Sequence, residues 1–196
     1  MRIISGNYRG VILFGPNNKR VRPLKDIVRE NIFNLLIHSN KISFQLEQSN
    51  ILDLYSGTGS FGLECLSRKA GKIVFIEKEK EALKILEKNI KKLKGKDNTK
   101  IFSGDVFDVI KKCDKKIFGL SSNSKFDLIF FDPPFKERKI NELIKLIITK
   151  ELLKKNGIII IHRHKNTGEK LIPNFKIIDE RIYGLSKIIF GNPFSF

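Results

Sequence analysis

From Asn50 onward the chain alternates short apolar runs with amphipathic stretches, and this alternation restricts the fold more than any other feature. The runs 50–54, 72–77, 100–103, 126–131 and 157–162 have the length and the β-branched or aromatic content of strands. Between them, 60–68, 79–93, 105–112 and 137–153 carry helix spacing. The clearest case places Ala82, Ile85, Leu86, Ile90 and Leu93 on one face and lysines on the other. Strands separated by helices cannot pair as hairpins, so they form a parallel sheet with crossover helices on both faces. The end of the chain breaks the rule: Phe175 to Ile182 and Leu185 to Phe190 flank Tyr183-Gly184 and predict an antiparallel hairpin. The expectation is an α/β domain with a mostly parallel seven-stranded sheet, finished by that hairpin.

Residues 1–49 read as a basic extension ahead of a single compact domain over 50–196. Residues 2–13 predict a short hairpin, with Ile3, Ile4, Val11, Ile12 and Leu13 as strand residues around a Gly6-Asn7 turn. Pro23 then precedes a helix whose apolar positions are Leu24, Ile27, Val28, Ile32, Leu35 and Leu36. Residues 39–49 read as a polar connector, and 113–125 and 164–173 as surface loops.

Two loops on this frame carry chemistry. The segment Asp53-Leu54-Tyr55-Ser56-Gly57-Thr58-Gly59-Ser60-Phe61-Gly62 lies between a strand and a helix. Gly57, Gly59 and Gly62 match the G-x-G-x-x-G pattern of dinucleotide sites, and Glu77 ends the next strand where a ribose-binding acid belongs. Asp53 discriminates between cofactors, because a carboxylate just before the turn repels a pyrophosphate. It suits S-adenosyl-L-methionine, which carries an α-ammonium and a sulfonium. The turn, with Tyr55, Ser56, Gly57, Thr58 and Gly59, therefore reads as a cradle for the methionine part, and a nicotinamide cofactor is the alternative.

The second loop is Asp132-Pro133-Pro134-Phe135, directly after the run Leu128 to Phe131. An exocyclic amine on a nucleobase is a poor nucleophile, since its lone pair is delocalised into the ring. An enzyme that alkylates it accepts hydrogen bonds from its N–H groups and lets the nitrogen pyramidalise. Asp132 offers one acceptor. The two prolines fix φ and donate no N–H, leaving the Pro133 carbonyl as a second acceptor. Phe135 offers a face on which an extruded base stacks. The bland alternative is a turn that ends a strand.

The formal charge of +17 points to a polyanionic partner. Of 38 basic residues 29 are Lys, in a chain also rich in Ile and Asn, a mixture that an AT-rich genome favours regardless of function. Arginine is the cleaner signal, and five of nine (Arg2, Arg9, Arg20, Arg22, Arg29) fall in the first 29 residues. Guanidinium groups clamp phosphate bidentately. The alternative is a solvated basic face. Cys65 and Cys113 form no C-x-x-C pair, and no apolar run reaches the length of a membrane span, so the sequence predicts a cytoplasmic protein in a reducing compartment. His162 and His164 stand two apart near a strand end, yet no neighbouring Cys or acid in the sequence completes a metal site, and no metal is expected.

The opening RIISGNYRG, the stretch RPLKDIVRENIFN from Arg22 to Asn34, DLYSGTGSFGLECLSRKA, VFIEKEKEAL, Gly104-Asp105, FDLIFFDPPF and the closing RIYGLSKIIF together resemble the bacterial RsmD family of 16S ribosomal RNA guanine-N2 methyltransferases, over nearly the whole chain. The resemblance implies a Rossmann-like class I methyltransferase fold and S-adenosyl-L-methionine as cofactor. Asp53 and the Gly57 to Gly59 backbone then face its methionine part, Glu77 its ribose, and Asp105 with the Val106 backbone its adenine. Asp132, Pro133, Pro134 and Phe135 hold the guanine. Arg2, Arg9, Arg20 and Arg22 face 16S ribosomal RNA, within the small subunit or an assembly intermediate of it. The readings of other classes are a DNA or other RNA amino-methyltransferase, a nicotinamide oxidoreductase, and a non-catalytic RNA-binding assembly factor. For Asp105 a plain helix N-cap is the alternative role, and for Glu77 a surface acid.

Overall fold

A computed structural model describes residues 1–16, 24–112, 117–119, 124–168 and 170–194. In chain order it contains α1 (Asp26–His38), β1 (Asn50–Leu54), α2 (Ser60–Ser67), β2 (Lys72–Glu77), α3 (Lys80–Lys92), a 3-10 turn (Lys96–Asn98), β3 (Thr99–Ser103), α4 (Val106–Lys112), β4 (Phe126–Phe131), α5 (Ile140–Thr149), β5 (Leu153–His164), β6 (Lys176–Tyr183) and β7 (Ser186–Asn192). The strands form one seven-stranded sheet in the order β3-β2-β1-β4-β5-β7-β6. β1 to β5 pair in parallel, whereas β7 enters antiparallel between β5 and β6. This is the Rossmann-like class I methyltransferase fold, with its antiparallel C-terminal hairpin.

Side-chain alternation along each strand divides the interior in two. Ile51, Ile73, Phe75, Leu128, Phe130, Ile158 and Ile160 pack on one face with α1, α2 and α3. Leu52, Leu54, Val74, Ile76, Ile129, Phe131, Ile159 and Ile161 pack on the other with α4 and α5. On the first face Phe33, Phe61 and Phe130 stack in series, with centroids 5.2 and 4.0 Å apart. Truncating a buried ring of this kind costs about 3–5 kcal/mol. Strand order reverses between β1 and β4, and in open α/β sheets ligands bind at the carboxyl ends of the strands on either side of such a reversal.

Four local expectations are corrected. The hairpin over 2–13 is present in shortened form, an antiparallel bridge of Arg2 to Ile12 flanked by the bonds Ile3 N–H to Val11, Gly10 N–H to Ile3 and Leu13 N–H to Met1. Its backbone is also held by α2: Glu64 accepts from Ile4 and Ser5, and Ser67 from Asn7 and Tyr8. Gly6 makes this docking possible, because a Cβ there would sit 2.0 Å from the Ser67 carbonyl oxygen. The helix predicted for 137–153 ends at Thr149, where Glu151 takes φ 50°. Leu153 then pairs with Phe126, so β5 starts before Gly157 and reaches His164. The connector 39–49 is not simply polar, since Ile42 and Leu46 are buried in the first core. Within 113–125 the described Phe118 is fully buried, its ring edge-on to Phe102 and Phe126. Cys113 lies outside the described residues, and Cys65 is a buried free thiol.

Candidate active site

The turn after β1 is tightly wound. Tyr55, Gly57 and Gly59 all have positive φ, and a Cβ on Gly59 would meet Leu86 Cδ1 at 2.4 Å. Gly59 therefore lets the turn rest directly on α3. Ser56, Thr58 and Asp53 are buried, Asp53 with 1% of its surface exposed. Asp53 Oδ2 accepts the Gly62 N–H at 3.0 Å, and Glu77 Oε2 accepts that of Gly57 at 2.6 Å. Glu77 Oε1 takes two more amides, of Lys78 and Glu79, each at 2.8 Å. The Gly59 amide bonds the Ser56 carbonyl. All three glycine amides of the G-x-G-x-x-G pattern are thus engaged by the protein itself, leaving none of them to cradle a pyrophosphate.

Burial pushes the Asp53 carboxyl well above its ordinary range; the Gly62 amide opposes this, while Asp132 and Glu77 add to it. A chain of charge +17 thus gathers carboxylates at the carboxyl ends of β1, β2 and β4. Asp105, beyond β3, accepts the Phe107 N–H at 3.0 Å and so caps α4, with Val106 buried behind it. That bond occupies Oδ1, and among the described residues no hydrogen bond reaches Oδ2. The Tyr55 hydroxyl is buried without a hydrogen-bond partner among the described residues. Burial first, then Glu137 and Asp105, raises its titration. An acidic floor with an unanswered hydroxyl fits a cationic, polar ligand such as S-adenosyl-L-methionine.

Across the sheet reversal, Asp132 continues from β4, its N–H 3.3 Å from the Leu54 carbonyl. Pro133 is buried and Pro134 is exposed. The Pro134 carbonyl is turned away, accepting from Glu137 N–H and from Arg163 Nη1. No described residue bonds the Pro133 carbonyl, which leaves it available as an acceptor. Arg163 also donates to the Glu137 carbonyl at 2.6 Å and so clamps the loop from β5. Phe135 is 46% exposed, edge-on to His162 and His164. A ring this exposed keeps surface on which a base could stack.

His162 and Arg163 were missed as site residues by sequence reasoning. The acid that His162 lacks in sequence is supplied in space by Asp132, whose Oδ1 lies 2.7 Å from Nδ1. Their only sequence signal is polar side chains inside an apolar strand, where a buried charge needs a partner. Among the described residues no group of three or more His, Cys, Asp or Glu is arranged to hold a metal, and no helix is long and apolar enough to cross a membrane.

The arginines separate. Arg2 and Arg9 are exposed and line one pocket of about 220 Å³ with Glu30. Arg20 and Arg22 lie outside the described residues. Arg29, counted among the arginines of the first 29 residues, is fully buried between Asp26, Glu64 and the Arg2 carbonyl, so it is no phosphate clamp. Asn89, buried on α3, joins the arm to the turn: its Nδ2 donates to the carbonyls of Phe14 and Thr58, each at 3.1 Å, and its Oδ1 accepts the Phe14 N–H.

A match to the family described as conserved hypothetical protein 95 spans residues 1–192. The Haemophilus influenzae ribosomal RNA small subunit methyltransferase D is 31% identical over 186 residues, covering 94% of this chain and 90% of its own. The protein of that name from Buchnera aphidicola subsp. Baizongia pistaciae is 34% identical over 172 residues, 88% of this chain and 80% of its own. Among solved structures, Escherichia coli yhhF superposes with a TM-score of 0.80 at 26% identity, covering 98% of this chain and 97% of its own.

Proposed function

The chain belongs to the conserved hypothetical protein 95 family, methyltransferases related to the RsmD-like ribosomal RNA enzymes, and from that premise we propose that it methylates the exocyclic N2 of a guanine in 16S ribosomal RNA of the small ribosomal subunit, with S-adenosyl-L-methionine as methyl donor. The observation that carries this reading is the placement of Asp132 and the free Pro133 carbonyl directly across the sheet reversal from the acidic turn of Asp53 and Glu77. An amine acceptor and a cation cradle on adjoining strands are what direct displacement between them requires.

The donor supplies a methyl group activated by its sulfonium. Glu77 binds the ribose hydroxyls with the lone pairs its amide bonds leave free, and Asp105 Oδ2 accepts from the adenine amine. Asp53 lies under the turn as a counter-charge to the ammonium. Asp132 and the Pro133 carbonyl accept the two N–H bonds of guanine N2 and aim its lone pair at the methyl. Phe135 stacks on the extruded base. Catalysis is then orientation and charge placement. Arg2, Arg9, Arg20 and Arg22 engage the RNA backbone, and the location implied is the cytoplasm, where small subunits assemble.

The test is to incubate the protein with tritiated S-adenosylmethionine and, separately, unmodified 16S RNA, small subunits, DNA and a protein extract, then to digest whatever is labelled. N2-methylguanosine from 16S RNA or small subunits is the expected product. Label in adenine or cytosine of DNA, in another RNA, or in protein would replace this substrate. No label at all, with RNA still bound, would favour an assembly factor.

A further inference from the structure

His162 projects from β5 into the substrate side of the crevice and is buried, yet it touches two polar groups from different elements. Nδ1 lies 2.7 Å from Asp132 Oδ1, and Nε2 lies 2.9 Å from Ser186 Oγ on β7. A nitrogen and an oxygen this close have a proton between them. An ionised carboxylate only accepts, so the proton belongs to Nδ1. In the neutral imidazole Nε2 is then the acceptor, and the Ser186 hydroxyl donates to it. Asp132, an acceptor only, thus fixes which ring nitrogen carries the proton, and the Ser186 hydroxyl follows by donating to the other.

We infer that His162 is a positioning residue for methyl transfer: its Nδ1–H pins Asp132 Oδ1 so that Oδ2 faces the substrate amine. The inference rests on the reading above, in which Asp132 receives that amine. In the transfer, the nitrogen lone pair forms the new N–C bond while the C–S bonding pair returns to sulfur, leaving a neutral thioether. The nitrogen, now cationic, releases one proton to Asp132 Oδ2, and from there it passes to solvent. A carboxylate free to rotate would offer its oxygens in many directions, and His162 removes that freedom. The ring also packs T-shaped against Phe135, with centroids 5.9 Å apart, so one side chain contacts both the acceptor and the stacking ring.

The experiment has two arms. In the first, kcat and KM for RNA are measured for wild type, His162→Ala, His162→Asn and His162→Gln, with adenosylhomocysteine affinity as the control of folding. The Asn amide nitrogen falls where Nδ1 was, and the Gln nitrogen where Nε2 was. Expected is a kcat loss of about 10- to 100-fold for Ala and Gln, recovery by Asn to within about fivefold, and cofactor affinity within about twofold throughout. Wild-type kcat in His162→Ala, or equal loss in Asn and Gln, overturns the inference. The second arm needs no substrate: long-range proton–nitrogen NMR of the neutral His162 ring should show the proton on Nδ1 in wild type and a shift of the tautomer balance toward Nε2 in Asp132→Ala. A proton on Nε2 in wild type overturns the inference equally. If wild type labels no RNA while the Nδ1 tautomer is found, the substrate reading fails and the His162–Asp132 pair stands.

Discussion

On the β1–β2–β3 side of the crevice each acid is answered by backbone amides: Asp53 by Gly62, Glu77 by Gly57, Lys78 and Glu79, Asp105 by Phe107. On the β4–β5–β7 side Asp132 is answered by the side chain of His162, thirty positions further along the chain. Asp53, Asp105 and one oxygen of Glu77 take amides from within nine positions, and the other oxygen of Glu77 reaches Gly57, twenty positions back. A carboxylate held by a side chain waits for β5, and through Ser186 for β7 as well. The half read as the donor site is therefore held through backbone amides and the half read as the substrate site through side chains, so damage to the two should separate in measurement.

The sharpest separation is expected from Asp132→Asn, which keeps the shape and removes the charge. It should lower kcat by roughly 10²- to 10³-fold, with adenosylhomocysteine affinity within about twofold. Single-turnover kinetics and calorimetry check it, and a parallel loss of cofactor affinity would break the division between the halves. Glu77→Ala probes the other side. Loss of bonds to a charged group should weaken adenosylhomocysteine binding by about 1.5–3 kcal/mol, roughly 10- to 150-fold, with kcat at saturating cofactor much less affected. Binding of NAD in place of adenosylmethionine, read in the same calorimetry, would overturn the cofactor assignment.

Asp53 gives a smaller effect with a definite sign. Burial raises its titration in the folded protein, so its contribution to stability is complete below the ordinary carboxylate range and is lost as pH rises through the folded value. Asp53→Asn removes that loss while leaving an oxygen for the Gly62 amide. The variant should melt higher than wild type at pH 8, on the order of 2–4 °C, with the gap closing in acid, and it should bind the cationic cofactor more weakly. Thermal melts across pH decide it, and a lower melting point at pH 8 would count against the sign. The least effect on chemistry is expected from replacing Arg2, Arg9, Arg20 and Arg22 with Ala. RNA binding should weaken and its log–log salt slope flatten by roughly 0.7 to 0.9 per lost phosphate contact, with cofactor affinity unchanged. An unaltered slope would move the RNA contact onto the lysine-rich helices.

The same division explains what could be read from the chain alone. Alternating apolar runs specified β1 to β4 almost to the residue, because each run is bounded by its own turn signals. The turn from Asp53 to Gly62 was legible because the acid and the amide that join its two ends lie nine positions apart. The division between α5 and β5 was not, since Leu152 and Leu153 suit either period and only pairing with Phe126 decides between them. Arg29 counts toward the arginine-rich start of the chain, and nothing local reveals that Glu64, 35 positions away, lies beside it in the interior. His162 and Arg163 gave no motif at all. Their partners come from β4, the loop after it and β7, a juxtaposition that only the closed sheet creates.

Asn89 has a consequence for how the protein could be cut or rebuilt. Its amide is completed by Phe14 on one side and Thr58 on the other, so residues 1–16 are no detachable tag. A chain truncated before β1 would leave Asn89 with two of its three bonds unmade beside the glycine turn, and would strip Ile3 and Leu13 from the first core. Grafting this arm onto another enzyme, or trading it for a different one, therefore means transplanting a piece of α3 along with it.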